Sequence, residues 1–524
     1  MPAMKALPET LPTDTVALHR MVQDYQSAVE QLQEKLDWYE ERFRLFQHRR
    51  FGASSEKYPD QLELFNEAES ILDALPQEDI GELEETVAYP RNKPGRKPLS
   101  KHIPREVVRH ELPEAERVCG RGHALHEAGE DQSEQLEIIP AQIKVIVHVQ
   151  VKYGCRACEH GLLAAPKPAQ PIPRSFASAS LLAYVIAAKF MGSLPLYRQE
   201  IIFKRLSIDL SRATLSNWAL KSAELPMPFY GRLHGHLLRQ KFLQADETPL
   251  NVIQDGRVVH AKPYMWLHQG GGHETACPIV LYGYQATRAG QHAVTFLQGF
   301  EGYIQADGFA GYHALVSEVR HLVGCMAHAR RKSDEALKAL PKASRDNKFG
   351  LAHTALRKSR AIYTIEKQAK DLSKGQRYCL RQEKSKPLMD DLKQWCDGNV
   401  AKTTKDSALG KAIRYTVNQW DTLVRYLGDG NLQIDNNAAE RRIKPFVIGR
   451  KNWLFNQTPR GADASALLYS LVQTAVANNL EPFDYLRHLL TELPKLGRHY
   501  EPEALGQFLP WNLTEKIQAL NQVA

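Results

Sequence analysis

The sequence predicts a multidomain α/β protein whose central domain contains a mixed sheet with flanking helices. With 524 residues, the chain is long enough for about three or four domains. Three runs typical of consecutive β-strands lie between residues 241 and 286, and after a helix near residues 291–297 two further strands follow. A meander followed by alternating helices and strands is typical of a mixed sheet. Segments with helical periodicity precede and follow this region.

The composition excludes several classes of protein. Apolar residues make up 43% of the chain and charged residues 24%, which is typical of a globular protein. The longest strongly apolar run, Leu181 to Ala188, is far shorter than the ~20 residues that span a bilayer, and the first residues lack the apolar core of a signal peptide. The seven cysteines, an odd number, do not suggest a disulfide framework. We therefore expect a cytoplasmic protein with no membrane partner, and not a secreted or fibrous one.

Residues 1–52 carry the clearest periodic pattern. Apolar residues alternate spacings of four and three over four heptads, which is the seam of a coiled coil. The seam consists of Leu18, Val22, Tyr25, Val29, Leu32, Leu36, Tyr39, Phe43 and Phe46. Thr13 or Asp14 could cap this helix at its N-terminus, and it is expected to end near Gly52. The pattern predicts self-association or pairing with another chain.

Residues 53–104 are predicted to form a linker that is acidic and then basic. The chain carries 68 Lys and Arg against 60 Asp and Glu, a net charge of +8, but residues 58–90 contain no Lys or Arg. The basic part that follows includes Gly-Arg-Lys-Pro at residues 95–98. Arg96 and Lys97 could lie along a DNA groove or its phosphate backbone, or belong to a flexible basic linker, and the sequence leaves both interpretations open.

Residues 105–165 are predicted to form a small β-rich module that holds a structural Zn²⁺. Cys155 and Cys158 have the spacing of a zinc knuckle and follow a strand-like run that begins at residue 144. Cys119 and His123 are the candidate second pair. His126 and His148 are alternative fourth ligands, and an idle Cys-x-x-Cys pair is the alternative to a zinc site.

Residues 170–235 are predicted to be DNA-binding helices resembling a helix-turn-helix. Two apolar helices are followed by a break at residues 207–209 and a third helix that opens with polar residues. Arg212 and Thr214 would face phosphates and base edges, while Leu215, Trp218 and Leu220 would pack inward. Such an outline also arises by chance in helical proteins.

Three acids are candidates for a divalent-metal site. Asp246 and Asp307 each come at the end of a predicted strand, and a helical segment supplies Glu440. Carboxylates at neighbouring strand ends can bind two Mg²⁺ ions, which suit in-line phosphoryl transfer. Arg441, Arg442 and Lys444 would place positive charge beside Glu440, as a DNA backbone requires. With 60 acidic residues in the chain, spacing alone does not single out these three.

Several motifs in order resemble the transposases of the IS66 family of bacterial insertion sequences. They are RRFGASSEK, GRKPL, the GED segment from Gly129 to Leu136, SLPLYRQ, ADET, ADGFAGY, GCMAHARRK and DNNAAERRIKPFVIGRKNWLF. The resemblance covers almost the whole chain. It implies an RNase H-like catalytic domain formed by residues 240–330 and 431–480, a helical insertion at 331–430, and a C-terminal helical segment at 481–524.

The same resemblance implies a catalytic mechanism and partners. Asp246, Asp307 and Glu440 correspond to the DDE acids, which bind two Mg²⁺ ions, or Mn²⁺, and cleave a phosphodiester at each transposon end before the 3′-OH attacks target DNA. Cys325 and His328 match a C-x-x-H signature that we interpret as structural, with metal ligation as the alternative. Small accessory proteins of the same element and a location at the bacterial nucleoid are also implied.

One departure and two alternatives remain. The family commonly has a Cys-x-x-Cys pair before its GED segment, whereas this chain has Cys119 and His123, so zinc ligation on that side is in doubt. A non-catalytic DNA-binding regulator would explain the N-terminal half but would give the three acids no role. An inactive relative is disfavoured because all three acids are present.

Overall fold

The computed structural model describes residues 14–51, 143–154, 162–164, 166–254, 262–273, 277–347, 349–497 and 500–513. The chain divides into two compact units, one of Ser55–Lys167 and one that combines Met1–Ser54 with Pro168–Ala524. Among the helices in these ranges, none has the length and apolar character needed to cross a bilayer.

The smaller unit contains an antiparallel pair of short strands, β1 (Lys152–Gly154) and β2 (Leu162–Ala164), with Tyr153 opposite Leu163. The strand predicted from residue 144 onward is therefore wrong over most of its length, since only residues 152–154 form one. Within the described part of this unit, β2 is the partner strand and spans three residues, so the pairing ends where β2 ends. Cys155 and Cys158 lie in the connection between the two strands, outside the described residues.

The N-terminal helix α1 (Thr15–Phe51) confirms the helix predicted from the heptad pattern. Of the two candidate caps, Asp14 accepts hydrogen bonds from the backbone N–H of Val16 and Ala17, both at 3.3 Å. The helix contacts the rest of its unit through Arg44, whose Nε donates to the Ala339 carbonyl at 2.8 Å, and through Glu41, which accepts from the Ala408 N–H at 3.0 Å. All but one of the seam residues are exposed, and Leu32, for example, is 47% exposed.

Between residues 166 and 241, a range that is described in full, four helices precede the sheet. Leu215 and Trp218 are buried as predicted, and Ser211 caps the third helix by accepting from the Thr214 N–H at 3.2 Å. The acidic side chain of Glu200 accepts from the Arg212 N–H at 3.1 Å, so it occupies part of the same helix start. The helices are α2 (Ala179–Phe190), α3 (Leu196–Arg205), α4 (Arg212–Glu224) and α5 (Met227–Leu238).

The predicted mixed sheet is confirmed, with five strands in the order β5-β4-β3-β6-β7. Strands β3, β4 and β5 form an antiparallel meander, whereas β6 pairs in parallel with β3 and β7 in parallel with β6. Helix α6 (Gly290–Phe296) connects β5 to β6, and a 3₁₀ turn (Ala310–Leu315) connects β6 to β7. The strands are β3 (Phe242–Pro249), β4 (Tyr264–Gly270), β5 (Val280–Gln285), β6 (Gly302–Gln305) and β7 (Arg320–Val323).

A long helical region follows β7, as predicted, and packs around a core of its own that includes Ile362, Met389 and Tyr426. Its elements are α7 (Met326–Ala339), α8 (Lys342–Asp346), α9 (Leu351–Gln368), α10 (Lys374–Leu380), a π-helical turn (Arg381–Ser385), α11 (Lys386–Val400), α12 (Ala408–Asn418), α13 (Trp420–Leu423) and a 3₁₀ turn (Arg425–Gly428).

The chain then returns to the sheet through α14 (Asn437–Trp453) and α15 (Pro459–Ala477). Helix α15 covers the edge strand β5, because the Ser470 Oγ accepts from the Tyr282 N–H at 2.8 Å and the Thr474 Oγ1 accepts from the Val280 N–H at 3.1 Å. These hydroxyls satisfy backbone groups that an edge strand would otherwise leave unpaired. The remaining elements are α16 (Pro482–Glu492) and 3₁₀ turns at Leu493–Leu496, Pro502–Phe508 and Pro510–Asn512.

Candidate active site

The sheet register places the two aspartates at matching positions. Gln244 of β3 lies opposite Gln305 of β6 in the parallel pairing, and Asp246 and Asp307 each come two residues later. Successive side chains of a strand alternate between the two faces of a sheet. The equal spacing on both strands therefore places the two carboxylates on the same face, near the same end of the strand pair. The sequence predicted that Asp246 ends its strand. This is wrong, because the antiparallel pairing of β3 with β4 continues to Pro249.

Glu440 lies in the first turn of α14, and the residues before that helix attach it to the sheet. The Asn436 Nδ2 donates to the Ala245 carbonyl of β3 at 2.8 Å, and the Asn436 N–H donates to the Cys325 Sγ at 3.2 Å. Glu440 is thereby brought to the side of the sheet from which the two aspartates extend.

The three carboxylates are near enough to interact electrostatically. Burial raises the pKa of Asp246 well above its ordinary value, and the negative charges of Glu247, Glu440 and Asp307 raise it further. Half-buried acids that repel one another in this way favour a bound cation. The structure thus brings together the three acids that the sequence singled out.

Basic groups of α7 contact Glu440. The Arg331 Nη2 lies 3.2 Å from the Glu440 Oε2, and the His328 Nδ1 lies 3.7 Å from the Glu440 Oε1. Burial lowers the pKa of His328 and outweighs the opposite effect of the nearby Glu440 carboxylate. The Cys325 Sγ belongs to the same group, since the ligand atoms of Cys325, His328 and Glu440 all lie within 4.8 Å of one another.

The donor set fits divalent metal ions of the Mg²⁺ type. Three carboxylates supply hard oxygen ligands, and the Glu440 Oε1 is buried without a hydrogen-bond donor. Within the described parts of the chain, the acids are not as tightly grouped as Cys325, His328 and Glu440. Three carboxylates of this kind would hold Mg²⁺-type ions through their oxygens.

Sequence reasoning assigned no role to Glu247, although it follows Asp246 directly. Its side chain is only 1% exposed and accepts from the Arg288 Nε at 2.9 Å and from the Tyr312 hydroxyl. The Arg288 guanidinium also lies 3.8 Å from the centre of the Phe309 ring, two residues beyond Asp307. The available signal in the sequence was an acidic residue adjacent to a candidate metal ligand. Its hydrogen-bond partners are distant in sequence, so the sequence did not indicate them.

The other predicted site residues lie on α14, on α4 or outside the described residues. Arg441 and Lys444 are exposed on α14 and Arg442 is half-buried. On α4, Arg212 is exposed, and Thr214 is half-buried with its hydroxyl 3.0 Å from that of Ser211. Outside the described residues lie Arg96, Lys97, Cys119, His123, Cys155 and Cys158.

Comparison with known protein families gives four matches along the chain. Residues 174–464 match the Transposase IS66 family. Residues 38–108 match a domain described as Transposase C of IS166 homeodomain, residues 116–159 the zinc-finger binding domain of transposase IS66, and residues 470–511 the IS66 C-terminal element.

Two relatives from Sinorhizobium fredii match most of the chain. The uncharacterized protein y4hP is 31% identical over 472 residues, which cover 86% of this chain and 84% of the relative. The uncharacterized protein y4jD is 32% identical over 424 residues, which cover 79% of this chain and 81% of the relative.

Proposed function

This chain belongs to the IS66 family of transposases, and we propose that it cleaves and joins DNA with Asp246, Asp307 and Glu440 as its catalytic acids. It would bind the terminal inverted repeats of an insertion sequence and hydrolyse a phosphodiester bond at each end. The freed 3′-OH would then attack a phosphate of target DNA and displace a 3′-oxygen there. The observation that carries this proposal is the placement of the three acids: Asp246 and Asp307 each come two residues after paired positions of β3 and β6, and Asn436 ties the start of the helix that carries Glu440 to β3.

The three acids would hold two Mg²⁺ or Mn²⁺ ions. Such ions, when bound, activate the attacking oxygen and stabilise the leaving oxygen of an in-line displacement. The contribution of the chain is to place the ligands: the sheet register sets Asp246 and Asp307, while Asn436 holds the start of α14 against β3. Arg288 and Tyr312 hold the buried Glu247 carboxylate beside Asp246.

The mixed sheet, an antiparallel meander continued by two parallel strands, supports an RNase H-like catalytic domain with the helical region after β7 as its insertion. Cys325 is buried and accepts from the Asn436 N–H, which supports a structural role for the Cys325 and His328 pair.

DNA would contact the exposed side of α14 through Arg441 and Lys444, with Arg442 beside them, and the start of α4 through Arg212 and Thr214. Arg96 and Lys97 are further proposed contacts with the backbone. A structural Zn²⁺ in the module that matches the zinc-finger domain would be held by Cys155 and Cys158, with Cys119 and His123 as the second pair.

Two copies would associate through the seam of α1, and small accessory proteins of the same element would assist. The nucleoid in the bacterial cytoplasm is the location where such an enzyme meets its DNA.

The test is cleavage and strand transfer with Mg²⁺ and terminal-repeat DNA. Asp246→Asn, Asp307→Asn and Glu440→Gln each remove one ligand charge and are expected to abolish both reactions while the protein still binds the DNA. Asp391→Asn removes a charge from an ion pair with Lys358 on the surface of the helical region, and it is expected to leave both reactions intact. Wild-type cleavage by the three active-site variants would contradict the assignment of these acids, whereas absence of cleavage by the wild-type protein would favour the non-catalytic regulator.

A further inference from the structure

Four glutamine side chains form a hydrogen-bonded amide network directly beneath the acidic site. Gln244 and Gln305 are fully buried in β3 and β6, and Gln269 of β4 is 5% exposed. Gln433, in the irregular segment before α14, is half-buried. Because Gln244 and Gln305 come two residues before Asp246 and Asp307, their side chains lie on the same face of the sheet as the two acids.

The network runs across three strands and ends in the segment that carries Glu440. The Gln269 Nε2 donates to the Gln244 Oε1 at 2.8 Å, and the Gln244 Nε2 donates to the Gln305 Oε1 at 2.9 Å. The Gln305 Nε2 donates to the backbone carbonyl of Gln433 at 2.8 Å. The Gln244 Nε2 also lies 3.1 Å from the Gln433 Oε1, so both the side chain and the backbone of Gln433 are bound to the strands.

Apolar side chains would fill these positions without the need for partners. A buried amide without a partner costs about 1–3 kcal/mol, so the four glutamines are tolerated only while the network is complete. What such a network supplies is a defined relative position of the groups it connects, because any displacement of one member breaks several bonds.

Glu440 requires such positioning more than the two aspartates do. Asp246 lies within β3, opposite Leu267 of β4, and Asp307 follows the end of β6 by only two residues. Glu440 returns to the site only after the long helical region, through a segment around residues 433–436 that has neither helix nor strand structure. The Glu440 N–H bonds to the Asn436 carbonyl at 3.2 Å, so a shift of this segment would move the first turn of α14.

We propose that Gln244, Gln305 and Gln433 are positioning residues that set the place of Glu440 relative to Asp246 and Asp307. The inference rests on the proposed function, because it assigns the three acids to a shared metal site. The glutamines touch neither the metal nor DNA; they act through the segment before α14.

The experiment measures Mn²⁺ binding to the full-length, zinc-loaded protein by calorimetric titration in the absence of DNA, together with the thermal midpoint of each variant. Gln305→Met and Gln433→Met remove amides with little change in volume. We expect each to raise the dissociation constant for Mn²⁺ about tenfold, as substitutions behind metal ligands do. Cleavage is expected to recover partly when Mn²⁺ is raised in proportion.

The matched control is Gln199→Met. Gln199 is 1% exposed, and its Nε2 donates to the carbonyls of Val185 and Leu194, remote from the three acids in sequence. It is expected to lower the thermal midpoint as the network variants do, with unchanged Mn²⁺ binding. Gln433→Met lies at the half-buried end of the network and provides a measurement if the fully buried Gln305→Met does not fold.

Glu440→Gln separates the two proposals. If Glu440→Gln binds Mn²⁺ as the wild type does, the proposed metal site itself is wrong. If Glu440→Gln loses Mn²⁺ while both network variants keep wild-type affinity, or lose no more than Gln199→Met, the positioning role is overturned and the proposed function stands.

Discussion

Arg331 lies against Glu440, with its Nη2 3.2 Å from the Glu440 Oε2. The two residues come from α7, the first helix of the long helical region, and from α14, the helix that follows that region. The guanidinium therefore neutralises part of the charge of the third acid before any cation binds. A divalent ion that binds the free Oε1 of Glu440 would share the negative charge of this carboxylate with Arg331.

Removal of that guanidinium is expected to strengthen metal binding. Because both side chains are partly exposed, the competition is modest, and Arg331→Ala should lower the half-saturating Mg²⁺ concentration for cleavage by about threefold. Lys338→Ala, on the same helix and paired with Asp334, removes the same charge away from Glu440 and should leave the Mg²⁺ dependence unchanged. An unchanged half-saturating Mg²⁺ concentration in Arg331→Ala would show that the arginine does not compete with the metal, and a higher one would show that it supports the metal site instead.

The exposed side of α14 makes a second prediction. Arg441 and Lys444 follow Glu440 at helical spacing, so both would contact the phosphate backbone near the cleavage site. Arg441→Ala and Lys444→Ala should weaken DNA binding to a similar degree for specific and unrelated sequences. Each should reduce the slope of log affinity against log salt by about one. Lys495→Ala, in an ion pair with Glu492 near the C-terminus, is the control and should keep the wild-type slope. A loss confined to terminal-repeat DNA would contradict backbone contact.

The extent to which the site could be predicted depended on the range of the contacts involved. Strand patterns and motif order identified Asp246, Asp307 and Glu440, because these acids stand beside local signals in the sequence. The contacts of Glu247 with Arg288 and Tyr312 join residues 41 and 65 positions apart, and no local pattern indicates them. The same is true of the bond from Gln244 to Gln433, which spans 189 positions.

The fold shows the same division. Local signals were enough to predict the cap at Asp14, the end of α1 near residue 51 and the five strands, because capping and periodicity depend on residues close in sequence. The strand prediction from residue 144 was mostly wrong. Alternation of apolar and polar residues shows that a segment is able to form a strand, but not whether a partner strand extends alongside it.

The exposed seam of α1 leads to a prediction about self-association. Val29 and Leu32 are 61% and 47% exposed, whereas the contact of Arg44 with Ala339 involves another side of the helix. Leu32→Glu places a charge in the seam and should shift the protein from dimer or higher oligomer to monomer in sedimentation analysis. Gln31→Glu, at an exposed neighbouring position off the seam, should keep the wild-type mass. A wild-type mass for Leu32→Glu, or after removal of residues 1–50, would refute association through the seam.

His268 should make the stability of the larger unit, Met1–Ser54 with Pro168–Ala524, sensitive to acid. Its ring is buried, stacks on Phe296 at 4.3 Å between ring centres, and has no hydrogen-bond partner at either nitrogen. Burial, with a smaller effect of His234, lowers the pKa of His268 to about 3. The unfolded chain takes up this proton near the ordinary value of about 6.5, so the contribution of His268 to stability is complete above that pH and is lost as the pH falls toward 3.

Between pH 7 and pH 5 this loss amounts to about 2 kcal/mol of the free energy of unfolding. His268→Phe keeps an aromatic ring without a titratable group, so its unfolding in urea should depend less on pH than that of the wild type by this amount. His313→Asn, at an exposed position, should retain the wild-type pH dependence. The same acid sensitivity in His268→Phe and the wild type would mean that His268 is protonated equally in the folded and unfolded chain, contrary to its burial between Trp266 and Phe296.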